Sequence, residues 1–275
     1  MLRVATSANF ATQGSTCRIV ARRVVWSSGR LTLGAWVNAD RAVCMDLRIV
    51  AALDSPGKMA RRDFYASPFG VVYSAYMERP GLSRLIGRVV WGADVKPYYD
   101  SMSAISEVRD GGVIVDCPCG AGPAFRGLSS PTKVRYVAAD LSPSMLRRAR
   151  KRAALRDLGD VEFFKADAAE LPLPAGSADL FLSYWGLHCF DDPQAALTEC
   201  ERVLKPGGRL VGSCFVRGED SLRQRLLIRP GSGDFGQVGT APEIEEWLDA
   251  AGFEVAGLFR SGPILFFDAR LSGQP

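Results

Sequence analysis

The sequence predicts an α/β fold. Seven strands form a mostly parallel sheet with helices on both faces, an antiparallel hairpin closes the C-terminus, and a helical cap precedes the sheet. Three observations predict it. From Gly112 onward, short β-branched and aromatic runs alternate with stretches of helical periodicity, the order that builds parallel sheets. The last two apolar runs, "FEVAGLF" and "PILFFDAR", stand only a few residues apart, too few for a crossover helix and enough for a hairpin. Before Gly112, apolar and aromatic residues recur at helical spacing, broken by Pro80, Gly81 and Pro97.

The elements follow in order. "GVIVDC" is a strand and leads into a Gly-rich loop and a short helix. "VRYVAAD" is the second strand, followed by the helix "SPSMLRRARKRAAL", with Ser142 as its cap and Pro143 in its first turn. "VEFFKAD" is the third strand. "ADLFLSYW" is the fourth, followed by the helix "PQAALTECERVL". "KPGG" turns the chain into the fifth strand, "RLVGSCFV". "TAPE" reads as a capping box for the helix "TAPEIEEWLDAAG", after which the hairpin strands close the chain.

Three units result. Residues 1–58 read as a disordered extension or a start codon placed too far upstream, with the working protein beginning near Met45 or Met59. The first 39 residues hold no Asp or Glu and five Arg, so a targeting segment is an alternative, as is a structured extension. Residues 59–110 read as a helical cap or lid, and residues 111–275 as the ligand-binding domain.

Composition excludes several functions. The net charge of +4 belongs to the N-terminus: residues 1–58 carry eight basic and three acidic residues, leaving 26 and 27 in the remainder. A neutral body shows no nucleic-acid footprint. No run of 18 apolar residues exists, so integral membrane association is not expected. The seven cysteines are odd in number and scattered through a long chain, which suits a reducing, cytoplasmic compartment better than a disulfide framework. A homodimer is compatible with this composition. His188 is the only histidine, and Cys117 and Cys119 have no second pair at zinc spacing, so no metal site is expected and the two sulfurs read as packing.

The loop "VIVDCPCGAG" carries the function. Asp116 ends the first strand, and Gly120 and Gly122 let the backbone turn without placing a side chain before a ligand. Asp140 ends the second strand, at about the spacing at which a carboxylate takes ribose hydroxyls. Asp167 ends the third strand. Three neighbouring strand ends thus present carboxylates to one crevice, where ligands bind in open sheets of this kind. Such an array suits a positively charged nucleoside. It suits a pyrophosphate badly, because the full G-x-G-x-x-G fingerprint and a P-loop lysine are absent.

These residues resemble class I S-adenosylmethionine-dependent methyltransferases, most closely the ubiquinone/menaquinone-biosynthesis branch. The resemblance rests on "VIVDCPCGAG", "VAADLSPSML", "KADAAELPLPAGSADLFLSYWGLHCFDD" and "ALTECERVLKPGGRLV", covers residues 112–216 continuously, and extends loosely through "EEWLDAAGFEV". It implies a Rossmann-like sheet, S-adenosyl-L-methionine as cofactor, and roles for particular positions. Asp116, Cys119, Gly120, Ala121 and Gly122 would line the loop around the methionine part. Asp140 would bind the ribose, with Leu141 beside the adenine. Asp167 would accept the adenine amino group, and Ala168 would supply a backbone contact. Tyr184 would border the reacting methyl. Pro118 departs from the pattern, standing where the family most often has its first glycine. The loop tolerates it if that position needs neither a positive φ nor an N–H.

The implied activity is methyl transfer, at oxygen or carbon, to a small lipophilic or aromatic acceptor. Phe69, Tyr73, Tyr76, Trp91, Trp185, Leu187 and Phe190 offer an apolar mouth for it, and a lid core would use the same residues. His188 reads as a general base, a pocket wall or a structural residue. Tyr98 and Tyr99 read equally as a cover over the cofactor or an ordinary core pair. The basic run Arg147 to Arg152 reads as a solvated helix face. Two other classes stay open: a non-catalytic methyltransferase-like binding module, and a nicotinamide-dependent Rossmann oxidoreductase.

Overall fold

The computed structural model describes residues 7–12, 15–27, 30–36, 74–131, 133–218 and 236–273. The chain divides into two units, Met1–Lys58 and Met59–Pro275. The first holds a three-stranded antiparallel sheet of β1 (Ser7–Thr12), β2 (Ser15–Ser27) and β3 (Arg30–Trp36), in that spatial order. The alternative starts at Met45 and Met59, the cap's first residues 59–73, and Phe69 and Tyr73 among them lie outside the described residues.

The second unit is built on a seven-stranded sheet. Its strands are β4 (Val113–Asp116), β5 (Arg135–Ala139), β6 (Glu162–Phe164), β7 (Ala178–Tyr184), β8 (Leu204–Phe215), β9 (Phe253–Ser261) and β10 (Ile264–Leu271). The order is β6-β5-β4-β7-β8-β10-β9. Strands β4 to β8 run parallel, and β10 is antiparallel to both of its neighbours, as the short β9–β10 connection requires. The chain steps outward from β4 to β6 and then returns to the other side of β4. The switch point therefore falls between the carboxyl ends of β4 and β7.

The sheet is buried on both faces, so its central strands are continuously apolar rather than alternating. Successive side chains still divide between two cores. Ile114, Tyr136, Ala138, Leu180 and Leu182 pack on one face. Val115, Val137, Ala139 and Phe181 pack on the other with Leu197, Val203 and Leu248. Three helices flank the sheet, each entered through a side-chain cap and a proline. Ser142 accepts the Met145 amide at the start of α4 (Pro143–Leu155). Asp192 accepts the amides of Gln194 and Ala195 at the start of α5 (Pro193–Val203). Thr240 and Glu243 form a capping box on α6 (Ala241–Ala250).

"KPGG" behaves differently from the expected turn. β8 already begins at Leu204, and its ladder with β7 jumps from Ala178↔Leu204 to Leu180↔Arg209. The residues between bulge out, and Gly207, with φ of 74°, supplies the left-handed step that L side chains resist.

The helical part before the sheet comprises a turn at 74–77, α1 (Pro80–Ile86), a π-helical turn (Gly87–Trp91), α2 (Lys96–Asp100), a 3₁₀ turn (Ser101–Ser103) and α3 (Ala104–Glu107). Met77, Tyr98, Met102 and Ile105 are buried in the same core as β4 and β5. Arg209 clamps Asp268 with two hydrogen bonds, 2.8 and 2.6 Å, and reaches Glu107 on α3. The basic run on α4 is only partly a solvated face. Arg147, Arg150 and Lys151 are exposed, but Arg148 and Arg152, one turn apart, face the cap. Arg148 bonds Ser74 at 3.4 Å and Arg152 pairs with Glu78. Among the described residues, no helix is long and apolar enough to cross a membrane.

Candidate active site

A cavity of about 330 Å³ opens at the switch point. It is walled by the loop after β4, the ends of β5 and β7, the segment after β6, and the cap. Asp116, Asp140 and Asp167 all line it, because β4, β5 and β6 are adjacent parallel strands whose carboxyl ends share one edge.

The three acids differ in setting. Asp116 is fully buried and accepts a hydrogen bond from the Tyr136 hydroxyl at 2.8 Å. Burial pushes its pKa up to about 8, with Asp140 adding and Tyr136 opposing. Asp140 is also buried, and its two oxygens accept the amides of Gly120 and Ser142, each at 2.8 Å. Burial pushes it up to about 6 against those two bonds. A carboxylate has about four lone-pair sites, so Asp140 keeps acceptor capacity for further hydroxyls. Asp167 is exposed and caps its own loop through the Ala169 amide at 3.0 Å.

The loop between Asp116 and Pro123 is held through its backbone amides. The Cys117 amide donates to Leu182 and the Cys119 amide to Ala139, while Gly122 closes a turn onto Cys119. Position 118 is not called on for a donor, so Pro118 costs the loop no bond. The positive φ values fall at Gly120 and Gly122, 53° and 76°, not at Pro118. A Cβ at Gly120 would meet nothing within 4 Å, so this glycine leaves the loop open toward the cavity. A Cβ at Gly122 would lie 2.3 Å from the Phe125 ring, so the second glycine serves packing. Cys117 and Cys119 are buried free thiols, their pKa values raised by burial. Among the described residues, no group of three or more His, Cys, Asp or Glu is placed to hold a metal.

The remaining wall is apolar and aromatic. Tyr98 crosses Tyr184 edge-to-face at 5.0 Å and lies 5.7 Å from Trp185, and all three line the cavity with Met77, Met145 and Phe190. The Tyr184 hydroxyl is 3.0 Å from Ser101 Oγ. Leu141 lines the cavity and stays 41% exposed, an apolar surface available to a flat ligand.

The structure therefore brings together Asp116, Cys119, Gly120, Ala121, Asp140, Leu141, Asp167, Ala168 and Tyr184. Gly122 stands one residue behind the wall. His188 is not brought in. Its buried ring packs against Phe215 at 4.9 Å, and Nδ1 accepts the Phe215 amide at 3.1 Å. A base on the cavity wall is thus not what the fold makes of it. Tyr76, Trp91 and Leu187 also lie off the wall, whereas Trp185 and Phe190 are on it. Sequence reasoning missed Ser101, Met77, Met145 and Arg152. Only Arg152 left a signal, its spacing of four from Arg148 beside buried Met145 and Ala149.

The residues fit a cationic nucleoside such as S-adenosylmethionine. Two buried carboxylates face the cavity with no basic side chain among the described residues bonded to them, a glycine opens the loop beside Asp140, and Leu141 offers an apolar face.

Comparison with known proteins agrees. Residues 115–212 match the family model described as a methyltransferase domain. A demethylmenaquinone methyltransferase of Thermus thermophilus is 48% identical over 140 residues, covering 43% of this chain and 63% of that protein. An uncharacterized chloroplastic methyltransferase of Arabidopsis thaliana is 29% identical over 195 residues, covering 66% of this chain and 54% of that one. The chain thus spans between half and two thirds of the length of these relatives. The phosphoethanolamine N-methyltransferase 2 of Haemonchus contortus, solved with S-adenosyl-L-methionine, superposes with a TM-score of 0.60 at 18% identity, over 79% of this chain and 61% of that one. That likeness is one of fold.

Proposed function

We propose that this chain, which carries a class I S-adenosylmethionine-dependent methyltransferase domain, transfers a methyl group to a small lipophilic or aromatic acceptor at oxygen or carbon. The observation that carries the reading is the cavity itself: carboxylates along the strand ends at one side, an aromatic and apolar wall at the other. The demethylmenaquinone relative supports a flat, quinone-like acceptor. A cytoplasmic location is part of the same reading and rests on an odd number of cysteines, seven, scattered through a long chain.

S-adenosylmethionine, when bound, supplies the electrophile, a methyl on a positive sulfur. The chain supplies position, a dry site and electrostatics. Asp140 holds the ribose hydroxyls with the lone pairs its two amide bonds leave over. Leu141 covers the adenine, and Asp167 and Ala168 bind its edge. The open backbone at Gly120 and Ala121 receives the methionine part, with Asp116 and Cys119 behind it. Tyr98, Tyr184 and Trp185 form a rigid wall against which an acceptor is aligned, and the cap keeps water out. His188 supports that wall through Phe215. Among the described residues the wall carries no histidine or lysine, which favours an acceptor whose proton leaves readily, as that of a phenol or an enol-like carbon does.

Calorimetric titration of the full chain with S-adenosylhomocysteine tests the reading, with Asp140→Ala and NAD as controls. Micromolar binding that Asp140→Ala abolishes supports it. Binding of NAD in place of the homocysteine would turn it into an oxidoreductase. A folded protein that binds neither would be an interaction module.

A further inference from the structure

We propose that Ser101, on the cap, is a positioning residue that fixes the direction of the Tyr184 phenol proton and so makes the phenol oxygen an acceptor toward the reacting methyl. The inference rests on the methyltransferase reading above and goes beyond it.

The argument is one of proton accounting. Ser101 Oγ lies 3.0 Å from the carbonyl oxygen of Tyr98 and 3.0 Å from Tyr184 Oη. A carbonyl only accepts, and a serine hydroxyl has one proton to give. Given to Tyr98, that proton leaves Ser101 as the acceptor in the second contact, with Tyr184 donating. The phenol is buried, and burial pushes its pKa upward, so it keeps its proton. Its ring is held by the edge-to-face contact with Tyr98. With its only hydrogen turned toward the cap, Tyr184 Oη has only lone pairs left for any ligand on this wall.

An oxygen of that kind recognises a polarised C–H group. The hydrogens of a methyl on a positive sulfur are such donors, and the demethylated product has neither the methyl nor the charge. Tyr184 would therefore favour S-adenosylmethionine over S-adenosylhomocysteine and help the product leave. Ser101 comes from the cap, so the discrimination operates only with the cap in place.

The test measures both ligands on the full chain. Tyr184→Phe should weaken S-adenosylmethionine about two- to fivefold, the range of a weak hydrogen bond, and change S-adenosylhomocysteine less than that. Ser101→Ala should shift the ratio the same way, and Ser101→Thr should restore it. With methyl-13C-labelled S-adenosylmethionine, the bound methyl proton resonance should lie further downfield in the wild type than in Tyr184→Phe. An equal loss for both ligands in Tyr184→Phe would make the phenol mere packing and overturn the proposal. An unchanged ratio in Ser101→Ala would also overturn it, while leaving the cofactor reading intact. Failure of the wild type to bind either ligand would end the cofactor reading, and the proposal with it.

Discussion

The carboxylate of Asp140 accepts the backbone amide of Gly120 at 2.8 Å, across the gap between the ends of β5 and β4. One side chain thus ties the glycine loop to the strand end that would hold a ribose. Asp140→Ala removes the tether and the ribose acceptor together. Hydrogen bonds to a charged group contribute about 1.5–3 kcal/mol each, so affinity for S-adenosylhomocysteine should fall by at least tenfold. Circular dichroism should show the fold retained. Asp140→Asn keeps one acceptor oxygen and should fall between the two in the same titration.

The two glycines of the loop should separate into distinct phenotypes. Gly122→Ala places a methyl within the Phe125 ring at a φ of 76°, so it combines strain with overpacking. Urea unfolding should show a loss of about 2 kcal/mol or more. Gly120→Ala meets no atom and carries only the left-handed penalty of about 1–2 kcal/mol. Its methyl instead occupies cavity space, so the ligand titration should suffer more than the unfolding curve. Equal behaviour of the two variants in both assays would contradict this division.

Most of the sheet was legible because its strands are short apolar runs ending in acids, and those acids mark the cavity edge without any knowledge of packing. Two of the helix starts were legible for a local reason, since Ser142 and Thr240 cap within three residues of themselves. What failed depends on contacts far apart in sequence. His188, read as a base, a pocket wall or a structural residue, could not be narrowed further from the sequence, because the Phe215 amide that its Nδ1 accepts lies 27 residues on. Ser101 and Met77 join the site only because the cap folds onto the sheet. The "KPGG" bulge depends on where β7 places its ladder partners, which no local pattern states.

Arg152 gives a prediction about the cap. Its side chain is 13% exposed and paired with Glu78, which is half exposed, and Arg126 reaches the Glu78 carbonyl at 3.3 Å. Truncation to Ala removes a packed stem as well as a charge. Stability should fall by about 1 kcal/mol, because an ion pair open to water on one side contributes little by itself. The sharper readout is hydrogen exchange. Amides of residues 74–91 should exchange faster in Arg152→Ala, and those of α6 should not change. Uniform acceleration over both regions would show that Arg152 supports the whole unit rather than the cap.

The buried carboxylates also set a pH dependence whose sign follows from their direction of shift. Asp116 and Asp140 stand at about 8 and about 6 in the fold, against 3.8 for the ordinary side chain. Between pH 4 and 6, the folded chain therefore binds two protons that the unfolded chain has released. Between 6 and 8 it binds one. The stability that these two groups contribute is fully present below pH 4, falls as pH rises, and levels off above about 8. Each group contributes at most about 1.4 kcal/mol per pH unit within its window. Asp116→Asn should abolish the fall between pH 6 and 8 and halve the slope between 4 and 6, where Asp140 alone remains. A cation in the cavity favours the ionised carboxylates, so it should reverse part of the loss. S-adenosylmethionine should raise the melting temperature more at pH 8 than at pH 5.5. S-adenosylhomocysteine, without the sulfur charge, should show a smaller difference. A pH-independent shift with S-adenosylmethionine would mean that Asp116 and Asp140 do not sense the charge, and that the strand-end acids serve the fold rather than the ligand.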